Sequence, residues 1–236
     1  MPTLHQWKHG WADAYAARND KIADEFLDLV VRPSMAALNR KHQEYVSSVD
    51  PVLYGFSATD QLDLINKTAM AFCLSIQSLW ERQIRGYLAH CVSSVPIAGV
   101  SSQSLERAEW GEAFEALFLQ VRGIDLRSFD SYRMLSLLHL LANGCRHGDG
   151  SSSRRLFKLH PHLWPEWART GITPAFQHVQ IAEELLVGFI NAIALFWMDM
   201  ERLGLETLSG NKPIDRIALL GRHRQGRLDS FTHFLA

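Results

Sequence analysis

Apolar residues recur every three or four positions along most of this chain, the period of an amphipathic helix. Ile22, Phe26, Leu29, Val30 and Ala37 form the first such run. Pro33 lies inside it, and a proline removes a backbone donor and clashes with the preceding turn. The pattern predicts one long, broken helix over 12–48. Asp50-Pro51 and Gly55 predict a loop. Ser57-x-x-Asp60 predicts a helix start, with a side-chain acceptor and an acid at the positive end of the dipole. That helix should run to Cys91, with Ile76, Trp80, Ile84, Tyr87, Leu88 and Cys91 on its apolar face.

Ser93 to Ser104 reads as a polar loop, followed by a helix over 105–121 that Gly123 ends. Ser128 is positioned to cap a helix carrying Tyr132, Leu135, Leu138, Leu141 and Ala142. That helix should close in Asn143-Gly144-Cys145-Arg146-His147-Gly148. Gly148 to Ser153 reads as a flexible link, and His160 to Trp167 as irregular and aromatic. Thr173-Pro174 fits an N-cap followed by proline at the first helical position. A long apolar helix should then reach Leu203, with Gly204 and Gly210 at its end. No period-two strand and no internal repeat emerge. The expected architecture is an all-α bundle of four to five main helices in a single domain, 1–236. Its core would span 60–203, with an N-terminal helical segment over 12–48 and a basic C-terminal extension over 210–236.

Composition narrows the functional classes. The 24 Lys and Arg against 25 Asp and Glu give a net charge of −1, which argues against a nucleic-acid coat protein and an acidic tail protein. A hydrophobic content of 47% is too high for a disordered chain. The cysteines, Cys73, Cys91 and Cys145, are odd in number and widely spaced, and no CxxC occurs. They predict reduced thiols in a cytoplasmic protein rather than a disulfide framework or zinc finger. Met1 to Arg18 contains no apolar core of a signal peptide. Leu185 to Met198 is interrupted by Asn191 and flanked by Glu183, Glu184, Asp199 and Glu201. A membrane span needs roughly 20 apolar residues, so this stretch reads as a buried helix.

The chain has no GxGxxG, GxxxxGK[ST], HExxH or GxSxG motif. His5 and His9 are four apart, and His160 and His162 flank a proline, but neither pair has a matching set of ligands nearby. No metal and no cofactor are expected. The more informative set is His139, Asn143 and His147, spaced i, i+4 and i+8 along one helix face. From Arg146 to Lys158 the chain has four basic residues (Arg146, Arg154, Arg155, Lys158) and one acid, Asp149. A helix C-terminus favours a positive side chain by roughly 0.3–1 kcal/mol. A plain structural reading stays open at this point: His147-Gly148 as a C-cap, with His139 and Asn143 bonding inside the bundle.

The run Asn143-Gly144-Cys145-Arg146-His147-Gly148 resembles the motif of HEPN-domain proteins. These are all-α bundles, many of them metal-independent ribonucleases of toxin–antitoxin and phage-defence systems. Asn143 matches the motif's polar position and His147 its histidine. The leading arginine of the motif falls at Ala142, so its charge would have to come from Arg146, Arg82 or Arg85. The segment from Trp80 to Arg85 resembles the long helix that packs against the motif helix in such bundles.

Two functional classes follow. In the first, the chain is a ribonuclease in which His147 does acid–base work, Arg146 holds the phosphate and Asn143 orients the histidine or the 2′-hydroxyl. Arg154, Arg155 and Lys158 would bind the RNA backbone, His139 would add to the substrate site, and the resemblance implies a homodimer. In the second, it is a non-catalytic HEPN-like module that binds an antitoxin, another protein partner or a nucleotide. Phe157, Trp164 and Trp167 are the candidate anchor for such a partner. A small-molecule enzyme with a pocket at His139 and His147 is a third possibility.

Overall fold

The computed structural model describes residues 10–48, 51–169, 174–209 and 215–235. Within them the protein is all-α, with no strand. The helices are α1 (Gly10–Ala16), α2 (Asn19–Phe26), α3 (Arg32–Val46), α4 (Pro51–Ser94), α5 (Ser102–Arg107) and α6 (Glu112–Arg122). Then come α7 (Tyr132–His147), α8 (Ser151–Leu159), α9 (Glu183–Ser209) and α10 (Asp215–Thr232). No described helix is long and apolar enough to cross a membrane.

The N-terminal segment is broken as expected, but the irregularity falls before the proline. A π-turn, Leu27–Val31, leads into α3, and Pro33 occupies the first turn of that helix. A proline ring clashes with the carbonyl one turn back, and the wider turn accommodates it. Ser34 Oγ donates to Val30 O at 2.7 Å and so satisfies a carbonyl in the irregular turn.

Several boundaries differ from those the pattern predicts. Helix α4 starts at Pro51, so Gly55, Ser57 and Asp60 lie inside it, whereas Asp50 lies outside the described residues. Proline at the first helical position outweighed the glycine and the internal serine signal. The helix expected over 105–121 is two helices, separated where Gly111 takes φ 116°. Ser101 and Ser104 form a reciprocal capping box at the start of α5. Gly123 does end α6, in the left-handed conformation. Ser128 does not cap α7; it lies in a 3₁₀ turn whose N-cap is Asp125. Ser151 to Ser153 is the first turn of α8 rather than a link. Thr173 lies outside the described residues, and α9 begins at Glu183, beyond Pro174, and continues through Gly204. The 210–236 extension contributes a further helix, α10.

The chain forms two compact units, each discontinuous in sequence. The first comprises 1–24, 78–135 and 191–236. Its core is aromatic. The Trp80 ring meets Phe196 edge-on at 4.7 Å, and Phe196 meets Phe129 at 4.7 Å. Trp197 Nε1 donates to Gln83 Oε1 at 2.8 Å, which satisfies the one polar atom of that ring. Asp13 on α1 accepts from Tyr87 Oη at 2.8 Å and lies 3.8 Å from the buried Arg122 guanidinium. Burial outweighs both partners and pushes the Asp13 carboxyl up to about 6. The basic residues of α10 are tied to this unit. Arg224 Nε donates to Asp199 at 2.9 Å and also meets Asp130, and Arg216 grips Glu201 through two bonds of 2.7 and 2.8 Å.

The second unit comprises 25–77 and 136–190. Phe26 packs edge-on against Phe72 at 6.5 Å, and Gln61 Nε2 donates to Leu38 O at 3.1 Å, joining α3 to α4. Asn66 on α4 donates to Val179 O at 2.8 Å and accepts from Ile181 N at 3.3 Å. One side chain therefore pins the extended segment before α9 through both of its polar atoms. Leu138, Leu141, Leu156 and Phe189 fill the core of this unit.

Candidate functional site

The last three turns of α7 and all of α8 belong to the second unit. Met134, Leu135, Leu137, Leu138, Leu140, Leu141 and Ala142 are the buried side chains of α7, and Arg133, Arg146 and His147 are its exposed ones. The i, i+4 spacing brings His139 and Asn143 together: Asn143 Nδ2 donates to His139 Nε2 at 3.0 Å. This bond leaves the proton of a neutral His139 imidazole on Nδ1. Asn143 is thus committed one turn toward the N-terminus, and no described hydrogen bond links it to His147.

Arg146 and His147 are exposed in the last turn. Among the described residues neither side chain carries a hydrogen bond or ion pair. Gly148 then takes φ 67°, and its N–H donates to Gly144 O at 2.8 Å, closing the helix as the sequence predicts. Two further contacts fix the turn. Asp149 Oδ1 accepts from Phe176 N at 2.7 Å. The Phe176 ring lies so close to Gly144 that a Cβ there would fall 2.1 Å from Cε2. Residue 144 therefore has to be glycine for the aromatic segment to seat on the helix.

Arg154, Arg155 and Lys158 are exposed on α8, with no described partner. The buried face of that helix is Ser153 and Leu156. The five cations and imidazoles at 146–158 thus stay in water on two consecutive helices with no acid bonded to them.

Other sequence candidates are placed differently. Arg85 does not offer a free charge, because its guanidinium donates to Leu105 O and, at 2.9 Å, to Ala108 O at the end of α5. Arg82 lies with Arg85 in the first unit. Trp164 is not a surface anchor. It is fully buried, its Nε1 donates to Ala175 O at 3.0 Å, and its ring meets Phe157 at 5.3 Å and Phe176 at 6.4 Å. Trp167 is 66% exposed beside His178. His160 and His162 stack edge-on at 5.7 Å. Burial, with Arg169 nearby, lowers the His162 pKa. His5 and His9 lie outside the described residues. Among the described residues, no cluster of three or more His, Cys, Asp or Glu is arranged to hold a metal ion.

The cysteines are free thiols. Burial, with the Cys145 thiol nearby, pushes the Cys73 thiol of α4 well up. The parts that sequence reasoning missed are Asp149 and Phe176. Gly144 inside a helical pattern is the signal that a neighbour approaches closely there. Nothing local points to Asp149, whose partner is 27 residues away. Comparison with known proteins gives no match to a family model, a curated protein or a solved structure.

Proposed function

We propose that the chain is a HEPN-like, metal-independent ribonuclease whose site is the end of α7 and the exposed face of α8. The observation that carries this reading is the exposure of His147 beside Arg146, with no partner competing for either among the described residues. The neutral imidazole of His147 can take the proton of an RNA 2′-hydroxyl. The resulting alkoxide attacks the adjacent phosphorus, the bond to the 5′-oxygen breaks as that oxygen takes the proton back from the imidazolium, and a 2′,3′-cyclic phosphate remains. Arg146 supplies two parallel N–H donors to the phosphate oxygens as charge builds there. Arg154, Arg155 and Lys158 hold the flanking backbone. His139 and Asn143 form a bonded pair that stiffens the helix beneath. By the same resemblance, the working form is a homodimer that acts as a toxin or a phage-defence effector, and the reduced cysteines suit a cytoplasmic setting.

A second reading has its own support. Ala142, where the motif places arginine, is 1% exposed, and Asn143 is bonded to His139 rather than to His147. A non-catalytic module that engages RNA, a nucleotide or a partner protein would keep the basic surface and lack turnover. One experiment separates the two readings. Wild type and His147→Ala are incubated with total tRNA and a labelled RNA in EDTA. The nuclease reading expects cleavage by wild type and its loss in the variant. Absence of cleavage by both folded proteins, with RNA binding retained, would favour the module.

A further inference from the structure

The first unit contains an open cleft of about 550 Å³ between α2, α9 and α10, within the size range of small-molecule sites. Its floor is apolar, formed by the buried Met198 and Leu220. Its walls carry four cations, Lys21, Arg216, Arg222 and Arg227, and the imidazole of His223, against the carboxylates of Asp20 and Asp24. Arg216 is occupied by Glu201, and Arg227 by Asn191 and Asp24. Lys21 and Arg222 are exposed and have no described partner. With Glu201 on Arg216 counted, four cations face three carboxylates, and Lys21 and Arg222 are the two cations whose donors are uncommitted among the described residues.

The wall also contains Gly226, inside an 18-residue helix. Glycine in a helix interior is destabilising relative to alanine, so such a position needs a reason. No neighbouring atom supplies one, since nothing lies within 4 Å of where its Cβ would sit. The missing side chain leaves the helix backbone open toward the cleft. Gly221, five residues earlier, is equally open but does not line the cleft, which makes it an internal control.

We propose that this cleft binds a small organic phosphate monoester. The phosphate dianion would sit between Lys21 and Arg222, and the organic part on Met198, Leu220 and the bare backbone at Gly226. A phosphate monoester carries close to two negative charges and three acceptor oxygens at neutral pH, enough to answer both uncommitted cations at once. A carboxylate carries one charge and leaves a cation unanswered. Inorganic phosphate matches the charge but makes no use of the apolar floor. This inference does not depend on the ribonuclease reading, because it uses none of that site's residues.

The test uses the full chain and calorimetric titration with phenyl phosphate, with inorganic phosphate, phenol and a 20-nucleotide RNA in parallel. Saturable one-to-one binding of phenyl phosphate, tighter than phosphate or phenol, is expected. Lys21→Gln and Arg222→Gln should each weaken it about tenfold or more, the scale of a lost charge-assisted hydrogen bond. Both residues are exposed, so these variants should keep the wild-type Tm. Gly226→Ala should raise Tm and weaken binding, whereas Gly221→Ala should raise Tm and leave binding unchanged. The proposal is overturned if phenyl phosphate does not saturate or if Lys21→Gln and Arg222→Gln bind it as wild type does. It is equally overturned if the two variants lose RNA while phenyl phosphate never binds, which would make the cleft a nucleic-acid groove.

Discussion

Two stretches of this chain are basic, and they use their charge in opposite ways. On α10, Arg216 and Arg224 meet Glu201, Asp199 and Asp130, so most of the charge is spent inside the fold. On α7 and α8, Arg146, Arg154, Arg155 and Lys158 stay exposed with no acid bonded to them. Their local compositions are alike, and the difference lies in what the rest of the chain brings to each. A guanidinium beside a buried carboxylate is a structural element. A row of cations left in water and facing no acid is available to an anion from outside.

The largest effect that would sharpen this contrast is at Arg224. Asp199 is 1% exposed on its side chain, so removing Arg224 leaves a buried carboxylate without its main counter-charge. Arg224→Leu should cost about 3–5 kcal/mol of unfolding free energy, the usual range for one half of a buried pair. Arg154→Ala should change stability by no more than about 0.5 kcal/mol. Urea unfolding of the two variants checks both values. Equal costs would break the comparison.

A smaller effect tests whether pairing inside the first unit is always favourable. Asp13 has two partners, yet its carboxyl is raised from 3.8 to about 6 because burial dominates. An acid whose folded pKa lies above its unfolded one contributes stability that is fully present below the unfolded value. That stability is lost as pH rises through the folded value. Relative to Asp13→Asn, the wild type should therefore gain stability as pH falls through 6 toward 3.8. The full gain is at most about 3 kcal/mol. Thermal melts of both proteins across that window measure it. A difference that grows toward high pH instead would mean Arg122 holds Asp13 ionised.

Gly144→Ala comes next. A methyl group there collides with the Phe176 ring, and relief requires the aromatic segment to shift. A cost of about 1–3 kcal/mol is expected, the scale of core overpacking. If the second unit's basic surface depends on that turn, RNA affinity should fall with it. Urea unfolding and RNA titration on the same sample separate the two effects.

Helix existence was legible in the sequence and helix boundaries were less so. The 3–4 residue spacing around Trp80, around Leu138 and along Leu185 to Met198 predicts the buried faces of α4, α7 and α9, and Gly123 and Gly148 end helices where glycine can take positive φ. The misplaced starts share one cause. Ser57 and Ser128 are sound local signals, but a cap acts only where the backbone actually leaves a helix, and tertiary packing decides that. The candidate site was legible as a spacing of residues and not as a set of contacts. The pairing of His139 with Asn143 follows from helical geometry. The commitments of Arg85, Arg224 and Asp149 depend on partners 12 or more residues away, which local patterns do not encode.

The smallest effect is the one that tests the meaning of the unpaired charges. A cation that contacts a phosphate releases a condensed counterion, so each contact adds about 0.7 to the slope of log K against log salt for single-stranded RNA. Arg154→Gln, Arg155→Gln and Lys158→Gln should each lower that slope by about this amount, and the triple variant by about 2. Because the three side chains are exposed and make no described contacts, the same variants should unfold with the wild-type midpoint. A neutralised α10 cation should behave in the opposite way, since Arg216→Gln loses two bonds to Glu201 but removes no RNA contact. If the α8 variants leave the slope unchanged while Arg216→Gln lowers it, the assignment of the two basic stretches is reversed, and the RNA surface belongs to the first unit.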